Sequence, residues 1–364
     1  MPLTPQIPGP LTPRVLAELA AGSDWLVSWW PAAVLAAAAV LLLLAGSLGR
    51  RRGGRAHRRW PAVVGAVIAL VLASGFAVNT IAGFVPNVAA AQLLLTGQPV
   101  AARPGSGQLA PMTIPVPVKL RMPASTTWVY TPPGYDRAGT TRYPVVYLIH
   151  GSPGKSSDWV SGGDIAHVMD VLIAEKLVRP MIVVAPDVNG TGQDDTECLN
   201  STRGGSQVET YLTAVVVPWV DQNYATLPDW PHRVIGGMSS GGFCALDQGL
   251  LHQELFGTII ALEPYGDPGA GGRAMLATAA EFKAHSPSSY LPTLTFAHPV
   301  PTFFDVGGAG GGGNDGQTAP LAAQLRARGQ IVESRIEPGQ GHNWTMARLG
   351  IPHGLVFASE QMPP

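Results

Sequence analysis

Ser239 lies in the run Gly237-Met238-Ser239-Ser240-Gly241, after the apolar stretch Arg233–Gly237 and before a helical pattern at Gly241–His252. A serine hydroxyl attacks a carbonyl only when it stands clear of the backbone and a base takes its proton. A sharp turn from strand to helix exposes it, and the crowding there demands small neighbours. The same turn aims the backbone N–H of Ser240 at the oxyanion forming on the attacked carbonyl. The helix N-terminus adds positive potential at that point. No other serine in the chain has this spacing.

Three further groups complete such a site. The strand expected at Pro144–Ile149 runs into His150-Gly151-Ser152-Pro153-Gly154, where a second oxyanion donor belongs. The Ser152 N–H is the candidate, with Gly151 second, and His150 is expected to pack and hydrogen bond beneath the loop. His342, in the Gly-flanked run EPGQGHNW after the last expected strand, is the candidate base. His353 is the runner-up. The acid is expected after the strand TFFDV and before the histidine, which favours Asp315 in the loop GGAGGGGNDG over Asp305 within the strand. Glu263, after Thr258–Leu262, is a third option. Asp158 and Trp159 are expected to pin the loop that follows Ser152.

The elements that must hold these groups follow from hydrophobic periodicity. Strands are expected at Ile114–Leu120, Thr127–Thr131, Pro144–Ile149, Met181–Ala185, Arg233–Gly237, Thr258–Leu262, Thr302–Val306 and Ile331–Ile336. Helices are expected at Ile165–Lys176, Gln207–Asn223, Gly241–His252 and Thr318–Arg328. Runs such as VVYLI and MIVVAP are apolar throughout, as a parallel sheet covered on both faces requires. The order argues for one three-layer α/β domain over residues 113–364, with ligands at the carboxyl ends of its strands.

The blocks YPVVYLIHGSPGKSSDW, MIVVAPDVNG, CLNSTRGGSQVETYLTAVVVPWVDQNY, RVIGGMSSGGFCAL and EPGQGHNW together resemble the putative-esterase (esterase D-like) family. That family includes feruloyl esterases, S-formylglutathione hydrolases and trehalose mycolyltransferases, and the hydrophobic segment before the blocks is similar to membrane-anchored actinobacterial members. The resemblance runs from about Pro111 to the C-terminus. It implies an α/β-hydrolase fold, a Ser-His-acid triad and no cofactor. It sets Ser239 and His342 on the nucleophile and base blocks, and Ser152 and Ser240 on the oxyanion positions. The family's acid block reads as strand, Gly, two residues, Asp, and the glycine insertion here stretches that spacing before Asp315.

Composition sets the surroundings. Charged residues make up 13% of the chain and hydrophobic ones 46%, far below the usual charged share of about 25%. Two charge-free runs, Trp25–Leu48 and Trp60–Val85, are each long enough to cross a bilayer. Arg50, Arg51, Arg52, Arg55, Arg58 and Arg59 between them predict a cytoplasmic loop at 49–59 and an extracytoplasmic tail at 1–24 and catalytic domain. The expected order is therefore tail, two membrane helices within 25–86, a linker at 87–112 and the catalytic domain. An alternative is a late signal sequence cleaved near Ala89-Ala90-Ala91. A net charge of −1 argues against a nucleic-acid partner. The two cysteines, Cys198 and Cys244, lie outside any metal-ligating spacing, so no metal is expected; they are either a disulfide or separate thiols.

These residues point to hydrolysis of carboxylic esters through an acyl-enzyme, with an ester or lipid substrate. Acyl transfer to a sugar hydroxyl shares the same residues. A catalytically inactive envelope scaffold with the same fold is the remaining alternative.

Overall fold

The computed structural model describes residues 11–20, 24–51, 60–190, 194–309 and 315–364, with the side chains at 48–51 and 315 outside that description. Most of the basic loop at 49–59 therefore lies outside the described residues. Eight strands form one sheet in the order β1-β2-β4-β3-β5-β6-β7-β8. They are β1 (Gln108–Thr113), β2 (Thr126–Thr131), β3 (Val145–Ile149), β4 (Ile182–Ala185), β5 (Arg233–Met238), β6 (Thr258–Leu262), β7 (Thr302–Gly307) and β8 (Val332–Glu337). β2 pairs antiparallel with β1 and β4, and every pairing from β4 to β8 is parallel.

The helices, in chain order, are α1 (Pro13–Leu19), α2 (Trp30–Arg51), α3 (Trp60–Ala82), α4 (Val88–Thr96), α5 (Asp158–Ser161) and α6 (Ile165–Ala174). There follow α7 (Val208–Tyr211) and α8 (Val217–Asn223), joined by a π turn at Leu212–Val216, then α9 (Ser240–Leu251). Three short helices, α10 (Gly269–Met275), α11 (Ala279–Ala284) and α12 (Pro287–Tyr290), precede α13 (Asp315–Ala327) and α14 (Trp344–Gln361). Side chains alternate across the pleat of β3. Val145, Tyr147 and Ile149 join the core that contains α7, α8 and α9. Val146 and Leu148 join the opposite core, under α6 and α14. Two cores on one sheet make the three-layer α/β-hydrolase architecture.

Two expectations are corrected, and one helix was not anticipated. The first strand is Gln108–Thr113 rather than Ile114–Leu120, because Pro115 and Pro117 offer no N–H to a ladder. The stretch expected as a linker at 87–112 instead holds α4 and β1, and β1 pairs along its whole length with β2. The long closing helix α14 escapes the sequence pattern because Gly350, Pro352 and Gly354 interrupt it. Close packing requires Gly354: a Cβ there would come 2.6 Å from Ile260 of β6.

α2 and α3 pack on each other as a hairpin, and both are long and apolar enough to cross a membrane, with mean hydropathy of 2.0 and 2.3. Most of their large side chains, Leu41, Val71 and Val78 among them, are exposed. The hairpin is joined to the domain by specific bonds. The buried Arg348 of α14 donates through Nη1 to the carbonyls of Gly83 and Gly162, both at 2.6 Å, and through Nη2 to Asp24 Oδ1 at 3.2 Å. Phe84 packs edge-on against Trp344, with ring centroids 5.8 Å apart. Leu11 and Val15, from the start of the chain and α1, reach the α6 side of the core.

Candidate active site

β5 delivers Ser239 at the entry to α9 with φ 62° and ψ −122°, a backbone conformation that L-residues rarely adopt. Persistence of such strain needs a surround that leaves no alternative. Here the turn is wedged: a Cβ on Gly237 would come 2.1 Å from the Gly241 carbonyl, and one on Gly241 would come 2.1 Å from the Ile149 carbonyl. The Ser239 N–H donates to Leu262 O at 2.9 Å, fixing the turn to the end of β6. Ser239 itself is half-buried, so its hydroxyl is reachable.

The loop after β3 lies against this turn. A Cβ on Gly151 would sit 3.3 Å from the Ser239 Cβ, so Gly151, the residue before Ser152, borders the nucleophile. His150 is buried beneath the loop. Its Nε2 accepts from the Val188 N–H at 3.1 Å, and its Nδ1 lies 2.9 Å from the Gly151 carbonyl. An acceptor role for Nε2 assigns the proton to Nδ1, and burial lowers the pKa of this neutral ring. Asp158 and Trp159 do pin the loop: Lys155 N donates to Asp158 Oδ2 at 2.8 Å and Trp159 Nε1 to Ile149 O at 2.9 Å.

His342 stands just before α14, with a third of its side chain open to solvent. Its loop crosses the carboxyl end of β7, where a Cβ on Gly307 would come 2.5 Å from the Gln340 carbonyl. His342 Nδ1 is 3.4 Å from Glu263 Oε2. Glu263 follows β6 directly, is fully buried, and holds φ at 51°. Its Oε1 accepts from the Gly307 N–H at 2.6 Å, and its own N–H donates to Asp305 O at 2.8 Å. Ser239 and His342 are thus attached to consecutive residues, Leu262 and Glu263, at one strand end.

Among the sequence candidates for the acid, the structure brings Glu263 to the histidine. Asp305 is buried within β7, beside Arg335 at 3.6 Å. Burial, and then the neighbouring Glu337, raise its pKa well above the usual carboxylate range. The side chain of Asp315, which opens α13, lies outside the described residues. His353 is buried within α14, where desolvation and then Arg335 push its pKa down to about 3.

A further cluster escaped the sequence reading. Glu197 is buried beside the turn and accepts from the Tyr265 hydroxyl at 2.6 and 2.7 Å. The Tyr265 ring stacks on Phe243 of α9. Ser240 Oγ donates to Asp195 Oδ1 at 3.2 Å, and Cys198 is disulfide-bonded to Cys244 of α9. Burial, and then Asp195, push the Glu197 carboxyl up to about 8. Asp195 also lines a cavity of about 610 Å³ whose wall holds Asp194, Arg121, Arg203, Ser201 and Ser206 together with Ala270, Ala274 and Met275. Among the described residues no His, Cys, Asp and Glu group is arranged to hold a metal ion.

The family model described as Putative esterase matches residues 123–345. An uncharacterized protein of Corynebacterium glutamicum is 29% identical over 150 residues, covering 41% of this chain and 35% of that protein. An esterase of Mycobacterium tuberculosis is 33% identical over 118 residues, 32% of this chain and 24% of its own. The chain therefore spans about a third or less of these curated relatives. Among solved structures, an S-formylglutathione hydrolase from Agrobacterium tumefaciens superposes with a TM-score of 0.60 at 18% identity, over 72% of this chain and 98% of that one. A ferulic acid esterase gives 0.57 at 22% identity, over 71% and 100%. At these identities the structures speak for the fold.

Proposed function

From the premise that the chain belongs to the putative-esterase family, we propose that it hydrolyses carboxylic esters, with Ser239 as nucleophile, His342 as base and Glu263 as the acid that orients it. The observation that carries this reading is the attachment of Ser239 and His342 to Leu262 and Glu263. With Nδ1 turned to a buried carboxylate, the other ring nitrogen of His342 is the one that takes the Ser239 proton. Ser239 Oγ attacks the ester carbonyl, and the carbonyl oxygen becomes an oxyanion held by the Ser152 and Ser240 N–H groups. Collapse breaks the acyl–oxygen bond, and the leaving alkoxide takes its proton from His342. Water repeats the sequence on the acyl-enzyme and releases the acid.

The cavity beside Asp195 suits an alcohol portion that carries hydroxyl groups, since its wall offers both donors and acceptors. An acceptor hydroxyl bound there in place of water would turn hydrolysis into acyl transfer. α2 and α3 span the membrane in this reading, with the catalytic domain on the extracytoplasmic side. Their exposed apolar surface and the Cys198–Cys244 disulfide both support that placement, because disulfides persist in oxidising compartments. Treatment of membranes with a fluorophosphonate probe tests the chemistry. The wild-type chain takes the label and Ser239→Ala does not; an unlabelled wild type would leave an inactive scaffold.

A further inference from the structure

The chain carries no charged residue between Arg59 and Arg103, a stretch that runs 20 residues beyond the end of α3. α4 lies in that stretch. Asn87 caps it by accepting from the Ala90 N–H, and Gly97 closes it in the left-handed region. Its inner face is rooted in the domain through Ala90 and Leu93, while Asn87 Nδ2 donates to Asp164 at 2.9 Å. Its outer face carries no charge and is mostly apolar, with the exposed Gln92 and Thr96 beside its aliphatic side chains. Val88 and Leu95, two turns apart on one stripe, are exposed, and Leu95 is 84% so; Leu94 flanks them. A helix with one apolar face buried and an uncharged, mostly aliphatic face open is suited to the boundary of a second apolar phase.

The position of α4 identifies that phase. Pro86, two residues before α4, accepts from the N–H groups of Asp24 and Leu26 at the outer end of the hairpin. Asn79 Nδ2 donates to Leu26 O and Thr80 Oγ1 to Ser28 O, so both hairpin arms end at this level. Trp25, Trp29 and Trp30 are exposed there, as aromatic side chains are at a membrane boundary. Beside α4 lies a cavity of about 330 Å³ lined both by apolar side chains, including Phe84, Leu93 and Leu94, and by charged ones, including Lys155, Asp158 and Asp187. That pairing suits a lipid whose chains and headgroup part at the same depth.

Resting on the reading that α2 and α3 span the bilayer, we propose that α4 lies in the outer-leaflet interface with Val88, Leu94 and Leu95 among the lipid chains. The catalytic domain is then seated on the bilayer surface by an apolar face continuous with its anchor. Bonds from Arg348 to Gly83 and Asp24 keep the domain in that seat.

Site-specific bimane labelling of the full-length protein in phosphatidylcholine nanodiscs tests this. Both native cysteines are disulfide-bonded, so Leu95→Cys, Val71→Cys and Val118→Cys each offer one reactive thiol. Val71 reports the middle of α3, and Val118, 94% exposed on the domain, reports water. Retained ester hydrolysis verifies folding of each variant. The expected result is comparable loss of fluorescence to brominated lipid at 71 and 95, with 118 quenched by aqueous iodide instead. Iodide quenching at 95 with bromolipid quenching at 71 would overturn the interfacial helix and leave the membrane hairpin standing. Iodide quenching at both 71 and 95 would overturn the hairpin, and this proposal with it.

Discussion

His342 presents Nδ1 to the buried carboxylate of Glu263 at 3.4 Å, from a loop almost eighty residues further along the chain. The Gly307 N–H takes up the other Glu263 oxygen, so the carboxylate is held from two sides. Glu263→Gln removes the charge that favours an imidazolium and leaves the shape. Turnover of a p-nitrophenyl ester is expected to fall by about 10² to 10⁴-fold. Asp305→Asn and Asp315→Asn are expected to stay within a few-fold of wild type. Loss confined to Asp315→Asn would transfer the acid role to that residue.

The strain at Ser239 has a thermodynamic signature separate from its chemistry. Glycine adopts a φ of 62° without a Cβ penalty, so Ser239→Gly is expected to stabilise the fold by about 1 kcal/mol while abolishing activity. Ser239→Ala, which keeps the Cβ, should lose activity without that gain. Chemical denaturation of the three proteins measures the difference; equal midpoints for Gly and Ala would show that the turn is relaxed.

Glu197 predicts a pH dependence of stability. Its folded-state pKa of about 8 lies above the ordinary value of 4.5, because burial disfavours the charge. Over that interval the folded protein keeps a proton that the unfolded chain has released. Stability from this group is therefore full below about pH 4.5, falls as pH rises, and levels off above about 8. Glu197→Gln is neutral throughout, so its stability relative to wild type is expected to grow by up to a few kcal/mol between pH 5 and 8. A constant difference across that range would mean that the carboxyl ionises normally.

The Cys198–Cys244 disulfide ties the segment bearing Asp195 and Glu197 to α9 across 46 residues of sequence. Replacing both cysteines by serine is expected to cost about 2–4 kcal/mol. The ester KM should rise too, since Asp195 then loses its fixed place beside Ser240. A KM identical to that of the oxidised wild type would mean that this segment does not touch the substrate.

Much of this arrangement was legible in the sequence. Strand β6 falls where the apolar run Thr258–Leu262 put it, and the Gly-flanked serine does form the strand-to-helix turn. The proposed acid was harder to read because Glu263 simply ends a core strand. Only the register, with Met238 opposite Leu262, shows that the next residue on each strand lies at the site. A charged residue capping the strand beside the nucleophile strand was the available signal. Glu197 and Tyr265 were beyond reach for a related reason: 68 residues separate them, and the disulfide and the Phe243 ring bring them together. The expected first strand was displaced by Pro115 and Pro117, and α14 was hidden by glycines whose role exists only once β6 and β7 are in place.

The guanidinium of Arg348 has an implication for biogenesis. It joins Asp24 and Gly83, which precede it in the chain by 324 and 265 residues. On the proposed membrane reading, the hairpin therefore inserts before its docking partner exists, and the join forms only after the intervening polypeptide has crossed. His342 sits six positions before that cation, so on this reading the proposed base takes its place together with it. On the same reading, a chain stalled during export lacks its proposed base and is expected not to turn over an ester.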